Sequence, residues 1–327
     1  MTYKLYNKPT KPNELIVLDL LKPRISLPQD NLNTLENLQK GFHGEQKLHK
    51  LLSDGLKNNC IALYDLLLKT SETVFQIDSL LIFQNEIYLL EVKNYHGDFN
   101  IKDNAWYNLP TRKEVRNPFL QLERSEFLLR QLLQKLGYKI SLKSFVVFVN
   151  AEFTLYNAPL KLPIIFPSQL HRFIKKLNEP EGTLTSKHSK LAEQLINAQS
   201  EQIYNRLPSY DIDQLEKGII CTKCNSFMSF FNYRKVMCKT CGSPESIDSA
   251  MLRTIVEFNI LFPDKKITTS AMINWCKIIK SRRITKRILD KYLIPIGKNK
   301  HLHFVFNGDV REEQERTGEE RAGQNRT

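Results

Sequence analysis

Along the first half of the chain, hydrophobic positions recur at helical spacing, then alternate, then return to helical spacing. Leu35, Leu38, Phe42, Leu48, Leu51 and Leu52 mark a helix expected over 35–56, with Asn33 or Thr34 as its cap. Three strand-like runs follow, at Cys60–Leu68, Val74–Phe83 and Glu86–Lys93, and Gln84-Asn85 supplies a short hairpin connection between the last two. Gly97 breaks the chain, and a further strand pair is expected through Phe99–Leu109. Asn117-Pro118 opens a helix, since proline suits a first turn. Leu120, Phe127, Leu128 and Leu132 form its apolar side, and Gly137 ends it. Ser144–Asn150 reads as a buried strand. Helix, three strands, helix, strand is the order of a mixed α/β domain, expected over 35–178.

Around that domain the pattern changes. Residues 1–34, with Pro9, Pro12, Pro23 and a turn at Pro28-Gln29-Asp30, read as an N-terminal arm. Residues 179–216 are expected to be a linker with a bridging helix near 187–206. A cysteine module follows over 217–246 and a mainly helical unit over 250–306. After Asn307 the composition turns to Gly, Glu, Arg and Gln without periodicity, so 307–327 is expected to be disordered.

At 327 residues, with 41% hydrophobic and 25% charged residues, the chain is globular and long enough for more than one core. No apolar run approaches the roughly 20 residues of a bilayer span. The opening Met1-Thr2-Tyr3-Lys4-Leu5 lacks a secretory h-region, so a cytoplasmic protein is expected. The formal charge is +13, and it is unevenly spread. Lys265 to Lys300 holds eleven Lys/Arg against one acid, Asp290, whereas Asp309 to Thr327 has four Arg against six acids. Such a basic stretch suits a polyanion, because neutralising phosphates releases condensed counterions. A solvated face or an acidic protein partner would carry the same charge.

Six cysteines in a cytoplasmic chain point to metal or buried thiols rather than disulfides. Cys60 and Cys276 stand in apolar surroundings and are expected in cores. Cys221-Thr-Lys-Cys224 and Cys238-Lys-Thr-Cys241 are separated by thirteen residues. Two such knuckles supply a closed tetrahedral thiolate cage, so Cys221, Cys224, Cys238 and Cys241 are expected to hold one structural zinc. Met228–Val236 between them can form a short hairpin. The module resembles the zinc ribbons common in nucleic-acid enzymes. Phe227, Phe230, Phe231 and Tyr233 interleave with Arg234 and Lys235, an arrangement suited either to stacking on bases or to filling the module's small core.

The run Val74–Lys93 carries the chemistry. Strand side chains alternate, so Glu91 and Lys93 project together from the end of an otherwise apolar strand, and Asp78 interrupts a buried-looking one. Unpaired buried charge is costly. These three must therefore pair with one another, ligate a cation or sit at an open strand end. Asp78 and Glu91 have the hard oxygens that Mg²⁺ or Mn²⁺ prefers, with Lys93 placed to orient water or offset developing charge. A buried Lys–carboxylate salt bridge is the alternative.

Gly44-Glu45, Ile77-Asp78, Glu91-Val92-Lys93-Asn94-Tyr95, Gly97, Trp106 and Asn117-Pro118-x-x-Gln121 together resemble the nuclease-related domain, NERD, over about residues 38–150. The family is related to the PD-(D/E)xK nucleases. The resemblance implies an α/β, restriction-endonuclease-like mixed sheet flanked by helices, with Asp78, Glu91 and Lys93 as an active-site triad. It also implies Glu45 as a further acid near the metal and Gln121 as a substrate-side contact. Ile77 stands where the wider superfamily often has proline, which leaves the acidic ligand in place. Tyr95, Trp106 and Tyr107 are expected in core or rim packing rather than in a substrate channel. His43 and His96 lie beside motif residues, and neither is assigned a catalytic role without geometry.

In the basic unit, Thr268-Thr269-Ser270 can cap one helix to about Ile279, and Ser281 can start a second to about Leu293. Ile284, Ile288 and Leu289 point inward, while Arg282, Arg283, Lys286, Arg287 and Lys291 occupy the other half of the wheel. With Gly297 and the strand-like His301–Phe306, the unit reads as a possible winged helix-turn-helix whose second helix enters a groove. The whole points to a metal-dependent, DNA-processing phosphodiester hydrolase, with Arg234, Lys235 and the basic helix gripping nucleic acid. The alternative is a non-catalytic nucleic-acid-binding or regulatory protein that uses the fold as a platform.

Overall fold

The structure is a computed structural model that describes residues 3–70, 73–179, 182–200 and 207–307. The expected disordered tail lies, from residue 308 onward, outside the described residues. The chain divides into two compact units, Met1–Leu15 with Asn33–Asn205, and Ile16–Leu32 with Arg206–Thr327.

In chain order the first elements are β1 (Tyr3–Leu5), α1 (Asn13–Leu21), α2 (Gln29–Gly55), β2 (Cys60–Lys69), β3 (Val74–Ile82), β4 (Glu86–Lys93), β5 (Gly97–Lys102), β6 (Ala105–Asn108) and β7 (Lys113–Val115). Then come α3 (Pro118–Lys135), β8 (Ser141–Phe148), β9 (Phe153–Tyr156), β10 (Ile164–Ile165), α4 (Leu170–Asn178) and α5 (Ser186–Asn197). The first unit is built on a six-stranded mixed sheet ordered β1-β2-β3-β4-β8-β10, in which β2, β3 and β4 are antiparallel and β4, β8 and β10 parallel. A smaller sheet, β7-β6-β5-β9, adjoins it. On one face Ile61, Leu63, Ile87, Leu89, Val146 and Phe148 pack under Leu122, Leu129 and Leu133 of α3 and Leu191 and Leu195 of α5. On the other, Ala62, Leu81, Leu90, Val92 and Val147 pack under Leu48 and Leu52 of α2 and Phe173 and Ile174 of α4. Both faces are covered, which explains why β4 is apolar on both sides.

Two expectations change. Within the expected arm, residues 3–34 contribute a strand, a helix and the start of another. β1 pairs with β2 in parallel, and the Asn7 carboxamide goes on to bond both the N–H (2.7 Å) and the carbonyl (2.5 Å) of Tyr64, covering part of an open sheet edge. The long helix starts at Gln29 rather than 35. Pro28 does not make a free turn; its carbonyl accepts from Asn31 and Leu32 N–H (3.0 and 3.1 Å), and Asp30 favours the N-terminal end of the helix dipole.

The second unit holds a three-stranded sheet, β11 (Met228–Phe230), β12 (Lys235–Cys238) and β13 (Pro244–Ser246). The helices α6 (Ile247–Leu261), α7 (Thr269–Cys276) and α8 (Arg282–Tyr292) follow, then the antiparallel pair β14 (Ile294–Ile296) and β15 (His303–Val305). Ser246, Thr268 and Ser281 cap the three helices through their hydroxyls. A single core joins the strands and helices: Cys221, Met228, Val236 and Cys238 pack with Ile255, Phe258, Trp275 and Ile288. Cys276 lies in this core and Cys60 in that of the first unit. A buried ion network runs through the second unit. Arg24, fully enclosed, bonds Glu257 (2.8 Å) and lies 4.4 Å from the Trp275 ring centroid, while Arg253 bonds Glu257 (2.7 Å), Glu245 (2.9 Å) and the Ile220 carbonyl (2.7 Å).

Candidate functional site

The acidic cluster begins with an irregularity in two strands. In β2 the residues facing α3 and α5 are Ile61 and Leu63, then Leu66 and Leu68; in β3 they are Phe75 and Ile77, then Leu80 and Ile82. Strict alternation would not allow either series. Both strands shift by one position at the same level, at Asp65 and Asp78, between the pairs Tyr64↔Ser79 and Leu66↔Ile77. Asp65 takes a positive φ of 47°, which a short polar side chain tolerates.

The β3–β4 ladder ends at Ser79↔Leu90, just short of this kink, whereas β4 continues beside β8 through Lys93↔Phe148. The strands therefore part. Past the last ladder pair, the Val92 N–H donates to the Asp78 carboxylate at 2.7 Å, so Asp78 takes the place of a backbone acceptor. Glu91 and Lys93 project from the same stretch of β4, with Lys93 Nζ 2.7 Å from Glu91 Oε1. Gln121, in the first turns of α3, accepts from Lys93 Nζ at 3.1 Å. Asn117 sets that position by capping α3 through Phe119 N–H at 3.0 Å.

Glu45 arrives from α2, which approaches β4 closely because of Gly44. A Cβ on Gly44 would stand 2.8 Å from Asn94 Cβ, and the Asn94 carboxamide donates to the Lys40 carbonyl at 2.9 Å. Only glycine leaves room for that contact.

Burial and mutual repulsion push the acids up. Burial raises the Glu45 carboxyl to about 7, aided by the negative charges of Asp65 and Glu91. Asp78 is held well above the usual carboxylate range by burial, then by Glu91 and Glu45. Glu91 is raised as well, since its burial outweighs the help of Lys93. Burial opposes the charge on Lys93, yet Glu91 and Asp78 raise its pKa above the ordinary lysine value. The cluster carries more acid than Lys93 offsets. Hard oxygens with surplus negative charge fit a divalent cation. Glu45, Asp78 and Glu91 do not close into a cage, however. Among the described residues, the four cysteines alone bring three or more donors within 4.8 Å of one another.

That second cluster fits zinc. The Sγ atoms of Cys221 and Cys241 are 3.7 Å apart and those of Cys224 and Cys238 are 3.4 Å apart. The edge of a tetrahedron with Zn–S of 2.3 Å is about 3.8 Å. Each knuckle closes with the same turn, Asn225 N–H to the Cys221 carbonyl (3.0 Å) and Gly242 N–H to the Cys238 carbonyl (2.9 Å). Positive φ at Asn225 (57°) and Gly242 (70°) allows both turns. The Lys223 N–H points at Cys221 Sγ, 3.4 Å away.

Comparison with known families bears on the first cluster. Residues 40–149 match the nuclease-related domain, NERD. The match covers about a third of the chain and spans Glu45, Asp78, Glu91, Lys93 and Gln121. No curated protein and no solved structure gives a significant match. The matched stretch contains the acidic cluster, and the four-cysteine centre lies outside it.

The remaining expected residues are placed as follows. Trp106 is buried in the core, and Tyr95 packs on Phe99 with ring centroids 5.0 Å apart. Tyr107 is half-buried. His96 pairs with Glu152 on the surface, and His43 is exposed. Arg234 and Lys235 are exposed. Arg282, Arg283, Lys286, Arg287 and Lys291 line an open face of α8, although Arg287 and Lys291 pair with Asp248, and Lys286 with Asp290. No described helix is long and apolar enough to cross a membrane.

Two residues of the cluster have no counterpart in the sequence reading. Asp65 bonds Thr10 Oγ1 (3.1 Å) and Gln76 Nε2 (2.9 Å) and acts on Glu45. Arg116, exposed just before the α3 cap, acts on Glu91. Asp65 did leave a signal, since it interrupts the apolar run Cys60–Leu68 as Asp78 interrupts its own.

Proposed function

We propose that the protein is a metal-dependent nuclease that hydrolyses phosphodiester bonds of DNA at the cluster of Glu45, Asp78, Glu91, Lys93 and Gln121. The observation that carries this reading is the parting of β3 and β4, where the Asp78 carboxylate takes the Val92 N–H and the Glu91–Lys93 pair projects beside it. A salt bridge serving stability alone would need neither the surplus acids nor the broken ladder. Asp78 and Glu91 would hold Mg²⁺ or Mn²⁺, which takes one or two protein carboxylates and keeps other positions for water and phosphate oxygens. When bound, the metal supplies Lewis acidity toward the phosphate and lowers the pKa of bound water. Lys93, steadied by Glu91 and Gln121, presents a positive charge where the phosphorane becomes more negative. Glu45 adds an acid on the α2 side.

The fold around this cluster is then a restriction-endonuclease-like one of the PD-(D/E)xK kind. Unit two would hold the nucleic acid. Three helices followed by a two-stranded wing suit a winged helix-turn-helix, with Arg282 and Arg283 of α8 free to meet phosphates, and zinc fixing the ribbon beside it.

Plasmid and single-strand cleavage with Mg²⁺ or Mn²⁺ tests the proposal. Glu91→Ala and Lys93→Ala are each expected to cut about 100-fold more slowly or worse, while still binding DNA. Undiminished cutting by both variants would overturn the assignment.

A further inference from the structure

The β11–β12 hairpin ends in a group of side chains that the four-cysteine centre does not require. Phe230, Phe231 and Tyr233 are 45%, 57% and 81% exposed. The small core beneath them is already filled by Ile219, Met228 and Val236, and Phe227 leans back towards Gly218. Phe231 and Tyr233 thus stand largely in water, with Phe230, less exposed, beside them.

Their presentation is fixed. The Asn232 carboxamide oxygen accepts from both Arg234 and Lys235 N–H at 2.9 Å, and Phe231 and Asn232 N–H donate to the Lys235 carbonyl at 3.3 and 3.1 Å. The Arg234 carbonyl in turn accepts from Ile247 N–H at 3.0 Å, which ties the tip to the start of α6. A backbone held at this many points has little freedom left to lose on binding. Phe230 and Tyr233 meet edge to face, with centroids 5.9 Å apart and planes at 79°, so they do not stack on one another.

The surrounding charge selects the occupant. Between Gly218 and Ser246 stand Lys223, Arg234, Lys235 and Lys239 against a single acid, Glu245, and Glu245 is taken by Arg253. Protein interfaces are depleted in lysine. Flat aromatic faces beside cationic side chains suit a strand that offers bases and phosphates together. In a duplex, base faces are already covered by their neighbours.

We propose that this hairpin tip is a base-stacking platform for an unpaired nucleic-acid strand, with Phe231 and Tyr233 taking bases and Arg234 and Lys235 taking phosphates. It rests on nucleic acid being the substrate, and it is separable from cleavage. Binding is measured by fluorescence anisotropy of a labelled oligothymidine and of a duplex, in the full-length Glu91→Ala chain without added divalent metal. Zinc content and circular dichroism verify that each further variant is folded.

Phe231→Ser and Tyr233→Ser are each expected to weaken oligothymidine binding about tenfold, with an unchanged salt slope. Arg234→Gln with Lys235→Gln is expected to lower that slope by about 1.4, at about 0.7 per phosphate contact. Duplex binding is expected to be unaffected by the aromatic changes. Aromatic variants that bind oligothymidine like the parent would overturn the platform, and an equal loss on duplex would overturn its preference for unpaired strands. Self-association that Phe231→Ser abolishes, with no oligonucleotide binding, would assign the tip to a protein contact instead. Cleavage failing while the aromatic losses persist would count against the nuclease reading alone.

Discussion

The four-cysteine centre and the acidic cluster each gather polar ligands, and they do so in opposite ways. The cysteines come from two turns of identical build inside a short stretch of chain, and their four sulfurs lie within 4.8 Å of one another. Four soft donors leave no position for a substrate. The acids come from α2, β3 and β4; Glu91 pairs with Lys93, which also bonds Gln121, Asp78 accepts from the Val92 N–H, and the carboxyls repel one another. A closed set of donors contributes stability, whereas an open, overcharged one is costly to fold and retains free positions for chemistry.

The largest expected effect follows from the closed centre. Its cysteines share one core with α6, α7 and α8, so losing the metal should unfold the helices along with the ribbon. Structural zinc contributes about 10–16 kcal/mol to units of this kind. The chain has two tryptophans, Trp106 in the first unit and Trp275 in the second. In a Trp106→Phe background, Cys238→Ser should shift the Trp275 emission to the red and remove about one zinc per chain. Metal-free protein with native Trp275 emission would end the contrast.

In the acidic cluster the corresponding change is smaller. Glu91 is 1% exposed, and Lys93 is its cationic partner. Lys93→Met should destabilise the first unit by about 3–5 kcal/mol, the cost of stranding a buried charge. Urea unfolding followed at Trp106 measures it, and adding Glu91→Leu should restore most of the loss. A single variant as stable as the wild type would mean that the pair is less enclosed than its geometry indicates.

How far each centre could be read in advance depends on how local its causes are. The knuckles are legible because Cys-x-x-Cys builds its own turn. Glu91 and Lys93 are legible because two residues on one strand share a face whatever surrounds them. Glu45 and Gln121 came only through resemblance, since nothing in α2 or α3 alone says which side chain will reach β4. Asp65 interrupts its apolar run, but its place beside Glu45 depends on a kink shared with β3, and pairing is a property of two strands. The aromatic tip stood undecided between core and surface, because whether a ring is covered depends on what else fills the space. The start of α2 was misplaced because a polar run after a proline reads as a turn until tertiary packing extends the helix through it.

Two glycines of α2 sharpen the comparison at the next scale down. A Cβ on Gly44 would press on Asn94, whereas one on Gly41 would meet nothing within 4 Å. Gly44→Ala should cost about 1–3 kcal/mol and slow cleavage by displacing Glu45. Gly41→Ala should be neutral or stabilising by up to about 1 kcal/mol, as expected of alanine in an open helix position. Equal responses would mean that α2 does not rely on the Gly44 contact.

The smallest effect separates the open centre from the closed one most directly. Glu45 keeps its proton up to about 7 in the folded chain, against an ordinary 4.5. Its contribution to stability is therefore full below its ordinary range and is lost as pH rises through about 7, and Asp78 acts in the same direction. A divalent cation supplies the positive charge that the departing proton withdraws. Mg²⁺ at ten times its Kd should stabilise the first unit by about 1.4 kcal/mol near pH 8 and by almost nothing near pH 5.5. Thermal unfolding followed at Trp106 reads this difference, and Glu45→Gln should narrow it. Zinc held by all four cysteines would leave no free position there, so Trp275 should not respond. Stabilisation by Mg²⁺ equal at both pH values, or seen at Trp275 instead, would mean that the cation does not bind where the carboxylates crowd.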